Sequence, residues 1–185
     1  MIDEVLQDLR REIDETAGKL KKEFARVRTG RASASLLDGI VVEYYGARTQ
    51  LNSLATINVP EPRLIAITPY DKGSIGEIER AIRGSDLGLN PINDGKLIRI
   101  PIPELTEERR RDLVKHVKKI AEDFRVSMRN HRRDANEMIK ELQKEKQVTE
   151  DDARNAQEKV QSLTNEGIER VDRTLKSKEE EIMVV

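Results

Sequence analysis

The chain has 185 residues, of which 37% are charged and 3% aromatic, with a formal net charge of −1. So little aromatic bulk leaves Leu, Ile, Val and Ala to build the core, which suits long amphipathic helices better than a β-sandwich. Cysteine is absent, which excludes disulfides, thiolate metal sites and cysteine nucleophiles and is compatible with a reducing compartment.

The first element is helical. Ile2, Leu6, Leu9, Ile13, Ala17, Leu20, Phe24 and Val27 recur at steps of three and four, one narrow apolar stripe on a charged helix. The opening MIDEVLQDLRREID is charged from its third residue and lacks a secretory apolar region. No apolar run is long enough to span a bilayer. The expectation is a soluble cytoplasmic protein.

From Thr29 to Glu104 the character changes. All six prolines and eight of the ten glycines lie there. Period-two, β-rich runs appear at 40–45 (IVVEYY), 54–59 (LATINV), 63–68 (RLIAIT) and 97–102 (LIRIPI). Ile75, Ile78, Ala81 and Ile82 have helical spacing, with Gly84 as a stop. NDG at 93–95 is a tight-turn signal between two strands. This is a small α/β domain near the lower limit for an autonomous core.

Two further helices follow. The stripe Leu113, Val117, Ile120, Phe124, Met128, His131, Ala135, Met138 and Leu142 marks one, opened by Thr106 as N-cap with Glu107 and Glu108 behind it. Ala156, Val160, Leu163, Gly167, Val171, Leu175 and Ile182 mark the other, with Lys178 taking one turn. Thr149 caps it, with acids at the next three positions. The connection near KEKQV is short, so these two helices are antiparallel neighbours. About 40 residues of helix would reach roughly 60 Å, an elongated rod.

No single helix here can bury its stripe alone, and three together form a bundle. The reading is therefore α+β: a three-helix bundle from 1–29 and 106–185 with a β/α/β domain, 30–105, inserted into it. The joining segments RTGRAS (28–33) and PIPELT (101–106) must then lie side by side. Gly30 frees one backbone, while Pro101 and Pro103 stiffen the other. Such a pair can act as a hinge; a static pair of linkers is equally compatible with the composition.

Charge is unevenly spread. At helical pitch Arg125, Arg129, Arg132, Arg133 and Asn136 fall in one sector, extended backwards by Lys118, Lys115 and Arg111, with Glu122 the one acid in the run. Ordinary solvated helices alternate sign at i,i+4, and this one forgoes that. Arginine suits bidentate phosphate contact. Arg26, Arg28 and Arg31 follow the first helix, and Arg109 and Arg110 open the second. Pairing with acids on neighbouring helices, such as Glu166 or Asp172, is the competing explanation. It would prevail for one arginine; for the whole rail an external polyanion is the better reading.

Tyr44, Tyr45 and Tyr70 lie in the inserted domain, away from the rail, so folded RNA read through shape and phosphates fits better than base stacking. His131 on the apolar stripe reads as a packing residue, and His116 has no ligand set around it. GSIGEIERA lacks the spacing and lysine of a phosphate loop. No metal site, cofactor motif or catalytic triad is visible, so the expectation is a non-enzyme without cofactor. A coiled-coil adaptor and an RNA-processing enzyme with its site in the inserted domain are the alternatives.

RTGRAS (28–33), VEYYG (42–46), SDLGLNPINDG (85–95), LTEERRRDLVK (105–115), RNHRRDAN (129–136), DDA (151–153) and the closing KEEEIM together resemble the bacterial ribosome recycling factor family. His131 departs from the branched apolar residue expected there. The resemblance implies an L-shaped, tRNA-like monomer that binds the post-termination ribosome between its subunits. The bundle would lie on large-subunit ribosomal RNA. Elongation factor G with GTP would push on the hinge and inserted domain, the subunits would part, and initiation factor three would keep them apart. By motif position the resemblance assigns RNA contact to Arg28, Arg31, Arg109, Arg110, Arg129, Arg132 and Arg133. It assigns the hinge to Thr29, Gly30, Arg31, Pro103, Glu104, Leu105 and Thr106.

Overall fold

The apolar stripe at the start of the chain becomes helix α1, Ile2–Ala25, in the computed structural model, which describes residues 1–184. It buries Leu9, Ile13, Ala17, Leu20 and Phe24. Helix α4, Glu107–Lys144, buries Leu113, Val117, Ala121, Met128, Ala135 and Ile139. Helix α5, Glu150–Met183, contributes Ala153, Ala156, Val160, Val171, Leu175 and Ile182, and Lys178 takes one turn of its buried face. All three helices pack against one another.

Helix directions follow from paired side chains. Arg110 on α4 reaches the Met183 carbonyl of α5, Arg125 reaches Asp172, and Arg132 reaches Gln161. One number rises as the other falls, so α4 and α5 are antiparallel. Asp14 pairs with Arg170 and Thr29 donates to Glu181, so α1 runs parallel to α5. The three helices meet tightly at Gly167: a Cβ there would come within 3.0 Å of Ile13 Cγ2 and 3.1 Å of Met128 Sδ.

The α4–α5 turn is closed at both ends. Gln147 N–H donates to the Leu142 carbonyl and Lys146 N–H to that of Gln143, with Lys146 at φ 58. This is a Schellman termination with lysine in the left-handed position that glycine usually takes. On the other side Thr149 Oγ1 accepts from the Asp152 N–H, and the Asp152 carboxylate accepts from the Thr149 N–H. That reciprocal capping box was legible in the sequence.

Gly30–Thr106 forms a second compact unit, while Met1–Thr29 and the chain from Glu107 onward form the first. In the second unit β1 (Val41–Tyr44) and β2 (Ala47–Gln50) make a hairpin, followed by the short helix α2 (Leu51–Leu54). Then come β3 (Ala55–Glu61), β4 (Leu64–Pro69), helix α3 (Ile75–Arg83), β5 (Ile92–Asn93) and β6 (Ile98–Pro101). The larger sheet is antiparallel throughout, in the order β3-β4-β6-β5. Ile65 and Ile67 of β4, Ile98 and Ile100 of β6 and Ile78 and Ile82 of α3 are fully buried and form the centre of this unit's core. The fold is α+β, a three-helix bundle carrying an inserted β/α/β domain. Neither β2 nor α2 is foreshadowed by the sequence pattern.

Candidate nucleic-acid interface

The stripe that buries Met128 and Ala135 turns the intervening arginines of α4 outward, and their partners divide them. Arg125 does not belong to a free rail. Its side chain is 21% exposed and reaches Asp172 on α5 at 2.7 Å and Glu122 on its own helix at 3.0 Å. Burial works against its charge, but hydrogen bonds to Asp172 and then Glu122 outweigh that and raise its pKa further. Arg129 takes the other oxygen of Glu122, also at 3.0 Å. Donation from Arg129, then Arg125, holds the Glu122 carboxyl below its ordinary value. The single acid in the run is thus shared by two arginines. For Arg125, pairing with the neighbouring helix wins over the external polyanion.

Beyond Glu122 the balance changes. Arg132 donates to Gln161 Oε1 at 3.3 Å, a neutral acceptor that orients the guanidinium without cancelling its charge. Gln161 is itself held by donating to Asn165 at 2.9 Å. Arg133 is 67% exposed, and its carboxylate neighbour Asp134 lies 3.8 Å away, a geometry worth little in water. Sequence reasoning alone misses Gln161. Its signal is the α4–α5 register, available only after the helices are paired.

The remaining arginines are spread over both units. Arg28 and Arg109 are exposed in the bundle. Arg110, half-buried at the start of α4, donates to the Met183 carbonyl at 3.4 Å, and its buried Nε has no hydrogen-bond partner among the described residues. Thr29 Oγ1 donates to Glu181, whose other oxygen lies 3.5 Å from the buried Lys178 ammonium. Thr29, beyond the end of α1, therefore contacts the end of α5 through a long hydrogen bond of 3.4 Å. Arg31 is exposed and falls in the inserted unit.

His131 bridges α4 to α1. Its Nε2 is 2.9 Å from Thr16 Oγ1 and its Nδ1 3.2 Å from Glu12. A polar residue is thus accommodated on the apolar stripe by two polar groups of the facing helix. His116 is exposed on α4. Among the described residues no cluster of His, Asp or Glu is arranged to hold a metal ion, and no helix is long and apolar enough to cross a membrane.

Comparison with known proteins agrees across the whole chain. The family model described as "Ribosome recycling factor" matches residues 20–183. A protein of Halalkalibacterium halodurans named ribosome-recycling factor is 56% identical over 185 residues, covering 100% of both chains. A solution structure of a ribosome recycling factor superposes with a TM-score of 0.76 at 41% identity, covering 100% of this chain and 98% of that one. A Thermus thermophilus ribosome recycling factor, from models of that factor and Escherichia coli elongation factor G on the E. coli post-termination complex, gives 0.63 at 42% identity, covering 100% of each chain. The chain belongs to the ribosome recycling factor family.

Proposed function

We propose, with that membership as premise, that this chain binds the post-termination ribosome and, together with elongation factor G and GTP, separates the subunits for a new round of translation. The observation that carries the site is the pair Arg132 and Arg133, held outward on α4 by Gln161 and by a weak contact to Asp134. A guanidinium presented this way loses little by exchanging its contact for a phosphate, and it gains from released counterions. Arg28, Arg109, Arg110 and Arg129 extend the contact along the bundle, and Arg31 adds one from the inserted unit. Ribosomal RNA of the large subunit is the partner.

The chain does no covalent chemistry in this reading; nucleotide hydrolysis belongs to the factor that works with it. It acts as a monomer in the cytoplasm. Thr29–Arg31 and Pro103–Thr106 form the hinge between the two units. Its support is local: Gly30 adopts φ 76, and a Cβ at that position would come within 2.9 Å of Leu105 Cγ. The two connecting segments therefore meet at a left-handed glycine, where any side chain would be strained and would require Leu105 to shift. Gly30→Ala should lower the splitting rate more than ribosome affinity.

Light scattering of post-termination ribosomes with elongation factor G and GTP, with and without the chain, tests the reading. A fall in scattering that needs all three components is expected. Splitting at the same rate without the chain would sink it.

A further inference from the structure

Two neighbouring cavities open along the seam where Asp14 of α1 meets Arg170 of α5, and Arg170 lines both. In the first, of about 320 Å³, Arg10 and Arg170 face Asp14 and Glu166, so the charges balance. The second, of about 370 Å³, is lined by Ala17, Lys21, Arg170, Arg173 and Thr174. Three cations from two helices converge there, and none of the lining residues is an acid. Thr174 supplies no donor, because its hydroxyl is spent on the Arg170 carbonyl at 2.9 Å.

The surrounding acids leave most of that charge in place. Arg170 is half-buried and donates to Asp14, the one carboxylate committed to the cluster. Lys21 and Arg173 are exposed and have no hydrogen bond or ion pair among the described residues. The positions three and four away from Lys21 are Ala17, Gly18, Phe24 and Ala25, so its own helix offers it no acid. On α5 Glu169 stands four residues before Arg173, the order that favours pairing, yet the two are not paired. Lys22 beside Lys21 and Lys176 one turn beyond Arg173, both exposed, outnumber that acid. Arg170 and Arg173 also repel each other at i,i+3. A partner that brings negative charge relieves this.

The occupant follows from the same geometry. A free phosphate is held well by backbone N–H groups at a helix N-terminus. Both helices are well past their first turns here, so those donors are already used. Ordering two long exposed side chains around one small anion is entropically costly. A phosphate whose strand is held nearby by other contacts arrives at high effective concentration, which offsets that cost. No aromatic side chain lines the cavity, so phosphates rather than bases are met. We infer that the cavity of Lys21, Arg170 and Arg173 receives a backbone phosphate of RNA, on a different side of α5 from the α4 arginines. Asp172, which holds Arg125, and Arg173 are consecutive on α5 and point about 100° apart around it. One line of contact lets a rod roll about its axis, and a second fixes it. The inference rests on the ribosome reading for where that RNA is found.

The full chain with Lys21→Ala and Arg173→Ala, both exposed positions, should keep its helical melt. Its ribosome binding should lose about one from the log–log salt slope, the share of one phosphate. That loss should add to the loss from Arg132→Ala with Arg133→Ala, since the two pairs meet different phosphates. An unchanged slope, or no further loss when all four are replaced, overturns the second contact. The occupant is read with the photoreactive residue p-benzoylphenylalanine at position 173 or, separately, at position 132, irradiated with post-termination ribosomes. RNA should crosslink at both. A protein crosslink at 173, or none there while 132 reacts, rejects RNA in this cavity and leaves the ribosome reading standing. Inorganic phosphate titrated into the chain alone should give no saturable shift of the Lys21 and Arg173 amides at millimolar concentration. Saturation there would assign the cavity to a free anion instead. An unmodified chain that does not bind ribosomes sinks the ribosome reading and this one with it.

Discussion

In the inserted unit Arg63, Arg80, Arg83 and Arg99 each lie against a carboxylate of their own unit. On α4, past Glu122, Arg132 leans on a neutral amide and Arg133 on a carboxylate 3.8 Å away. The same side chain therefore meets a close carboxylate at these four positions of one unit and lacks one at Arg132 and Arg133 of the other. Their cores differ as well. The bundle buries one stripe per helix, so no single residue is decisive, whereas the inserted unit concentrates six fully buried isoleucines between α3, β4 and β6. Local charge density does not separate these roles; what each guanidinium touches does.

The sharpest way to break the comparison is to attack the smaller core. Ile67→Ala removes a fully buried side chain and should cost about 2–5 kcal/mol, a large share of a small domain's stability. Hydrogen exchange should show amides of β4 and β6 opening while α4 and α5 stay protected. Equal loss of protection in both units would mean they do not fold as separate cores.

A smaller effect should separate arginines on the same helix. Arg132→Ala with Arg133→Ala should weaken ribosome binding and reduce its log–log salt slope by about one for each phosphate that is no longer neutralised. The helical melt should be nearly unchanged. Arg125→Ala should do the reverse, lowering the melting temperature by removing a mostly buried side chain that bridges α4 to Asp172 of α5, while leaving the salt slope as it was. An equal flattening of the slope by Arg125→Ala would erase the distinction between paired and available arginines.

Smaller still are the two ends of the α4–α5 turn, where opposite signs are expected. Thr149→Ala removes the capping box and should cost about 1 kcal/mol. Lys146→Gly relieves a left-handed lysine and should stabilise by about 1 kcal/mol. Both should appear in the urea midpoint of the bundle without touching the inserted unit.

The three long helices were legible because a stripe at steps of three and four can be buried in only one way. The strands at 55–61, 64–69 and 98–101 were legible for the same reason at period two. β2 was not. Its sequence ARTQ offers no apolar alternation, and it pairs with β1 because the Tyr45–Gly46 turn delivers it there. For the candidate site, the sequence placed the arginines on one sector but could not show that Glu122 serves two of them. That depends on side-chain reach over one helix turn to Arg125 and two to Arg129. Asp172 was in view as a competing partner, and the helix register decided that it takes Arg125.

The least of the expected effects tests whether the inserted unit's ion pairs hold its turns. Asp94 sits in the NDG turn and accepts from the backbone N–H groups of Leu97 and Lys96, each at 2.9 Å, and from Arg99 at 2.6 Å. These donors, Leu97 first, bring its pKa from 3.8 down to about 2. A carboxyl depressed on folding adds stability that is whole above its unfolded pKa and is lost as the pH falls through the folded one. The window is therefore from 3.8 down to about 2. Asp94→Asn cannot ionise, so the gap in urea midpoint between it and the unmodified chain should be constant near neutrality and close as the pH crosses that window. Other carboxylates titrate alike in both proteins and cancel from the difference. A gap that persists unchanged at the acid end would show that the Asp94 charge does not hold the β5–β6 turn, and that pairing in the inserted unit is incidental to its fold.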